Sequence, residues 1–229
     1  MTSVPDDSPM SAAQVAAILG DELPGPDGVV TTDALALVHA ARELVEAVVV
    51  TDADADARRA AAAELRAVTE RLRARRRPGA VLLVRHPDGR IEHLTQAGSG
   101  RLNPQAPDIT FDPLVARPAG TAPVDLVARC TLTPSFGGPP GRVHGGQVAA
   151  LLDEVVGFAA FVAGAPGMTV SLTVTYHRAT PHSTPLEVRA RLDRTEGRKR
   201  WASGEVVARG DVTASAEAFL LGGAATGGT

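Results

Sequence analysis

Asp153 and Glu154 are the only charged residues between positions 148 and 163. They stand side by side in a run of Val, Ala, Leu, Gly and Phe, and the run follows His144-Gly145-Gly146. These residue types suit two kinds of chemistry. A carboxylate in apolar surroundings can take a proton from water or attack an electrophile itself. Glycines at the mouth of a helix leave backbone N–H groups bare, and such groups can hold an anion or the negative oxygen formed by addition to a carbonyl. Each feature also has an ordinary explanation. Paired acids can face a solvent stripe or an arginine, and two glycines before a helix commonly form a plain turn. From composition alone, the functional and structural readings of the acids stand level.

The spacing adds a constraint. Adjacent helix residues point about 100° apart, so at least one of the two acids faces an interior or an interface. Asp153 lies two turns beyond the glycines, roughly 10–12 Å along the axis at 1.5 Å per residue. One small reacting group cannot easily touch both from the same chain. If both act on one substrate, the acid comes from a second copy of the helix, which predicts antiparallel helix pairing across a homodimer.

The elements that must position these residues follow from pattern. The apolar helix runs from about 146 to 163 and ends at Gly164 and Pro166. Alternating apolar and polar residues predict strands at 124–132, 169–176, 186–192, 200–207 and 212–220. Their short loops require antiparallel pairing, and the long helix must pack on one face of that sheet. Upstream, Ser11 can cap a short helix at 12–19, closed by Gly20. Helical spacing of Leu35, Val38, Leu44, Val45 and Val48 predicts a helix at 33–49, and an Ala/Arg/Glu/Leu segment predicts another at about 54–75, the two forming a helical hairpin. A β-hairpin is expected from 80–85 through Pro87-Asp88-Gly89 to 90–94. Residues 98–120 read as an extended crossover, and residues 1–9 as disordered.

Composition narrows the class. The chain has 229 residues, a hydrophobic content of 44% and a net charge of -3, so there is no general basic field for nucleic acid. The single cysteine, Cys130, excludes an internal disulfide and reads as a small hydrophobe in a strand. The N-terminal segment lacks the pattern of a signal peptide, and the apolar helix is interrupted by acids and short for a membrane span, so a cytoplasmic protein without membrane association is expected. Nucleophile elbows, phosphate loops and paired metal-ligand motifs are absent from the sequence, so no metal is expected. Asp88 and His93 have the spacing of a hydratase motif, but the aspartate sits in a Pro-Asp-Gly turn, and the match reads as chance.

The segment from Arg142 to Glu154, RVHGGQVAALLDE, resembles the central-helix signature of hotdog-fold thioesterases. It is most similar to the phenylacetate-pathway (PaaI) type and to relatives of the carboxyl-terminal modulator protein. The 137–141 loop, the strand TVSLTVTYHR and the turn Glu196-Gly197-Arg198-Lys199 resemble further parts of that family, and Asn103-Pro104 with Ala106-Pro107 a lead-in found in some relatives. The resemblance implies an α+β hotdog fold with an N-terminal helical extension. It divides the chain into an extension with a hairpin at 1–97, a crossover at 98–122, a hotdog domain at 123–221 and a flexible tail at 222–229.

It also implies roles. Asp153 would be general base or nucleophile towards a thioester carbonyl. The N–H of Gly145 or Gly146 would polarise the carbonyl oxygen, and His144 would shape the helix entry. Thr169 would lie near the attacking water. Thr175, His177, Arg198 and Lys199 would contact coenzyme A, which enters only as part of the substrate; no separate cofactor is implied. His177 stands where a relative has lysine, and Gly138 where some have asparagine. The implied activity is hydrolysis of acyl-CoA by a homodimer or a dimer of dimers (a homotetramer). The alternative is a non-catalytic hotdog binder of an acyl or aromatic ligand.

Overall fold

The computed structural model describes residues 23–77, 79–87, 90–112 and 126–222. The expected helix at 12–19, the disordered start, the Asp88-Gly89 turn and nearly all of the expected tail lie outside the described residues.

Among the described residues three α-helices form: α1, Thr32–Val50; α2, Ala55–Arg73; and α3, Gly145–Val162. Each starts at a side chain that satisfies a free backbone donor. Thr31 accepts from the Ala34 N–H, Asp54 from Ala57 and His144 from Gly146. α3 stops at Gly164, whose φ of +74° lets the chain turn away.

Eight strands accompany them among the described residues. β1 (Leu83–Arg85) and β2 (Ile91–His93) make the expected hairpin. The main sheet holds β3 (Ile109–Phe111), β4 (Leu126–Thr131), β5 (Met168–Tyr176), β6 (Pro185–Glu196), β7 (Lys199–Ala208) and β8 (Asp211–Leu221). Its order is β3-β4-β6-β7-β8-β5, with every neighbouring pair antiparallel. This is the α+β hotdog arrangement that the resemblance implied: one long helix held against a curved antiparallel sheet.

α3 packs by its apolar arc. Val148, Leu151, Leu152, Val155, Val156, Ala159 and Ala160 are all buried, a spacing of three and four that keeps them on one side of the helix. They meet Ala128, Val188, Val206, Ala216 and Leu220 from the sheet. Helix and sheet lie close: at Gly204 a Cβ would stand 2.9 Å from the Val156 side chain. By length and composition α3 could cross a membrane, but here its apolar side is the core of the sheet. Cys130 is buried in β4 as expected, and burial, with some help from Asp108, pushes its thiol up to about 12.

Two expectations need correction. The segment expected as a crossover contains β3, with Ile109 opposite Cys130 and Phe111 opposite Ala128. Ile-Thr-Phe is β-prone, and its flanking prolines suit an edge strand, so the sheet begins before residue 123. The two N-terminal helices form at the expected places but not as a packed hairpin. α2 buries no residue, and α1 buries only Val38. α1 is instead tied to the segment before β3: Arg42 pairs with Asp108 at 3.3 Å and donates to the Asn103 carbonyl at 3.4 Å.

Candidate active site

The arc of α3 turned from the sheet carries Asp153, Glu154, Gly157 and Phe161, and all four line one cavity of about 1210 Å³. Its apolar lining comes from Ile109 and Phe111 of β3, from Phe158, Phe161 and Val162 of α3, and from Met168 at the start of β5. The rings of Phe111 and Phe158 lie 4.4 Å apart, and those of Phe158 and Phe161 5.8 Å apart. Its polar lining comes largely from the hairpin and the turn after it, including Glu92, His93, Gln96 and Ser99.

The two acids have opposite surroundings. Asp153 Oδ1 is a buried atom with no hydrogen-bond partner. Glu154 Oε1 accepts from Gln96 Nε2 at 2.5 Å and from Ser99 Oγ at 2.6 Å. A buried carboxylate oxygen without a donor is costly, so its persistence beside a cavity marks it as a group reserved for something else. Glu154 is spent on holding the chain together. Sequence reasoning missed Gln96 and Ser99, because two polar residues in a loop carry no signal of their distant partner.

At the other end of α3, the two glycines differ. The Gly146 N–H is taken by His144 Nδ1 at 3.0 Å. The next two N–H groups, of Gln147 and Val148, both point to the His144 carbonyl. Of the two expected glycines, Gly145 keeps an N–H without an acceptor in this turn and Gly146 does not. The Gly145 carbonyl accepts from the Tyr176 hydroxyl at 2.8 Å, a fastening between strand end and helix start that no local pattern signals. Gly138 has to be glycine for this entry: a Cβ there would stand 2.8 Å from His144 Cα.

The remaining expected residues divide between the two ends of β5. Thr169 lines the cavity with Asp153. Met168 is opposite Leu221, and Leu221 opposite Lys199, so Arg198 and Lys199 lie at the same end. Arg198 Nε donates to the Gly222 carbonyl at 3.0 Å, while Lys199 is exposed. Thr175 and His177 lie at the far end, by Tyr176 and Gly145; His177 Nε2 bonds Ser215 Oγ at 2.8 Å. One chain therefore brings Asp153 and Thr169 to one cavity, and leaves His144 and Gly145 about two helix turns away, with Thr175 and His177 beside them.

Two titrating groups line the cavity wall. Burial pushes Glu92 up, but hydrogen bonds from Arg101 and His86 outweigh it and hold the carboxyl below its usual range. The His86 contact is 2.7 Å, and the Arg101 contacts are 2.7 and 2.8 Å. Burial lowers His93, with the Glu154 carboxylate working against it.

A family model for the thioesterase superfamily matches residues 140–215. The crystal structure of a thioesterase superfamily protein is 31% identical, with a TM-score of 0.69, over 86% of this chain and 97% of that one. The chain belongs to the thioesterase superfamily, and its fold is the hotdog fold of that family. The acyl-coenzyme A thioesterase THEM4 of Xenopus laevis is 32% identical over 88 residues, 38% of this chain and 40% of that protein. THEM5 of Homo sapiens, also an acyl-coenzyme A thioesterase, is 36% identical over 66 residues, 29% of this chain and 27% of that protein. The matches thus span well under half the length of these curated relatives.

Proposed function

We propose that the protein hydrolyses acyl-CoA thioesters, with Asp153 as general base and the Gly145 N–H of a second copy as the oxyanion donor. The observation that carries this reading is the Asp153 carboxylate, one oxygen of it buried without a hydrogen-bond partner, in the lining of a cavity large enough for an acyl group. The curated names of the THEM4 and THEM5 relatives support the substrate class.

In this reading Asp153 takes a proton from water as the water oxygen bonds to the thioester carbon. The carbonyl oxygen becomes an oxyanion held by the N–H of Gly145. The C–S bond then breaks, the proton passes from Asp153 to the departing sulfur, and free acid and coenzyme A thiol leave. Thr169 is suited to orienting the water. Metal is not required, because the thioester carbonyl is already a good electrophile.

The pairing of two copies is supported by β5. It is a terminal strand of the sheet, and Met168, Val170 and Tyr176 on it are exposed. An open edge pairs readily with another strand. Antiparallel pairing about the middle of β5 would set Asp153, Thr169, Arg198 and Lys199 of one copy beside Gly145, Thr175 and His177 of the other. The coenzyme would then lie between subunits, with its phosphates towards Arg198 and Lys199.

The test is thiol release from a panel of acyl-CoA substrates. Asp153→Asn should lower the rate by about two orders of magnitude or more while the protein stays folded. Wild-type turnover in that variant would remove Asp153 from the mechanism. Tight binding without thiol release by the unmodified protein would favour the non-catalytic binder.

A further inference from the structure

Asp153, Gly157 and Phe161 are four residues apart on α3, so they form a line along the helix. The middle position has no side chain, and a Cβ at Gly157 would meet nothing within 4 Å. The line is therefore a trough that starts at Asp153 and ends against the aromatic rings of Phe158 and Phe161. Its outer side is not closed by the sheet. It is closed by residues 91–101, the end of the N-terminal extension and the start of the segment after it, of which Ile91, His93, Gln96 and Ser99 line the same cavity.

That outer side is a built wall. Leu94 is fully buried, Asn103 Nδ2 donates to the carbonyls of Thr95 and Gln96, and Leu102 N–H bonds the Leu94 carbonyl at 2.7 Å. Arg101 and His86 clamp Glu92 from two sides. The wall is fastened to α3 at one point, where Gln96 and Ser99 both donate to Glu154. Gly98 permits the approach, since a Cβ there would collide with Glu154 Oε2.

We infer that the extension sets the acyl size the enzyme accepts: the acyl tail lies over Gly157, between α3 and the wall at 91–101, and Glu154 is the latch that holds the wall in place. Glu154 is thus a positioning residue and Gly157 a specificity-determining one. The inference rests on the acyl-CoA reading given above.

Two substitutions should move selectivity in opposite directions. Gly157→Val places its Cβ where nothing lies within 4 Å and extends its two methyls into the trough, and loss of a helical glycine favours the fold. Glu154→Ala releases the wall, and Glu154→Gln, which keeps the acceptor oxygen, should behave as the unmodified protein. The probes are S-butyl-CoA and S-dodecyl-CoA, thioethers without the scissile carbonyl, with binding measured by calorimetry on the full chain. Gly157→Val should raise the dodecyl-to-butyl Kd ratio by roughly tenfold or more, the scale of a steric block in an apolar pocket. Glu154→Ala should lower that ratio and speed amide hydrogen exchange at 94–101, and Glu154→Gln should do neither. Intact binding with unmoved ratios would overturn the wall and leave the acyl-CoA reading standing. No binding of either thioether by the unmodified protein would overturn that reading and the wall with it.

Discussion

Helices α1 and α3 have 19 and 18 residues, both rich in Val, Ala and Leu, yet they end in opposite environments. α3 buries a full arc of its side chains against the sheet, while α1 buries Val38 and exposes Leu44, Val45, Val48, Val49 and Val50. Apolar content does not decide burial; a partner surface does. α3 is followed within a few residues by strands that wrap it. α1 is fixed to the domain by Val38, by Arg42 and by its contact with the turn Pro134–Phe136, and α2 extends from it without burying a residue. The difference also separates the roles. The arc that α3 does not need for packing is free to carry Asp153, Gly157 and Phe161. The extension lines the cavity with its hairpin and the segment after it, and no residue of its described helices is in that lining.

That contrast can be broken by mutation. Leu152 is fully buried in α3, so Leu152→Ala should cost about 2–5 kcal/mol in denaturant unfolding. A loss below about 1 kcal/mol would mean that α3 is not part of the core. Gly145→Pro removes the free N–H of Gly145 at the helix start. It should cost little stability, because proline suits the first helical position and His144, at φ -63° and ψ 134°, already has the backbone that precedes proline. Thiol release should nevertheless fall about a hundredfold, the loss of a single oxyanion donor; an unchanged kcat would clear Gly145 of that role.

Glu92 gives a weaker, pH-dependent effect. Its folded pKa lies below the ordinary 4.5, so its contribution is present above 4.5 and is lost as the pH falls through the lowered value. Unfolding followed between neutral and acid pH should show this loss, and Glu92→Gln should remove that part of the slope. The smallest effect belongs to α1. Val48 is 58% exposed, and Val48→Ala should change stability by less than about 0.5 kcal/mol. A larger loss that grows with protein concentration would mean that another copy covers this face, and would put α1 in the same class as α3.

The sequence made much of this legible because its signals are periodic. Alternation in TVSLTVTY and helical spacing from Val148 to Ala160 are local, and burial in one sheet enforces both. The short strand β3 was hidden among prolines, since three residues cannot show a period. The Asp153 offset from the glycines was legible through the family resemblance. The unequal fates of Gly145 and Gly146 were not, because they depend on where one imidazole nitrogen points. Glu154 read as a second candidate acid; only the fold reveals Gln96 and Ser99, which lie 58 and 55 residues away in sequence. Contacts of that range leave no trace in a single chain.

The central claim is that Asp153 and Gly145 of different subunits serve one site. Asp153→Ala and Gly145→Pro, each purified and nearly inactive, can be unfolded together, refolded and assayed for thiol release. In a two-fold dimer, random assembly of equal amounts gives heterodimers with one intact site, so activity should return to about a quarter of the unmutated level. A mixture that stays as inactive as its two components, although heterodimers are shown to have formed, would contradict a site shared between subunits.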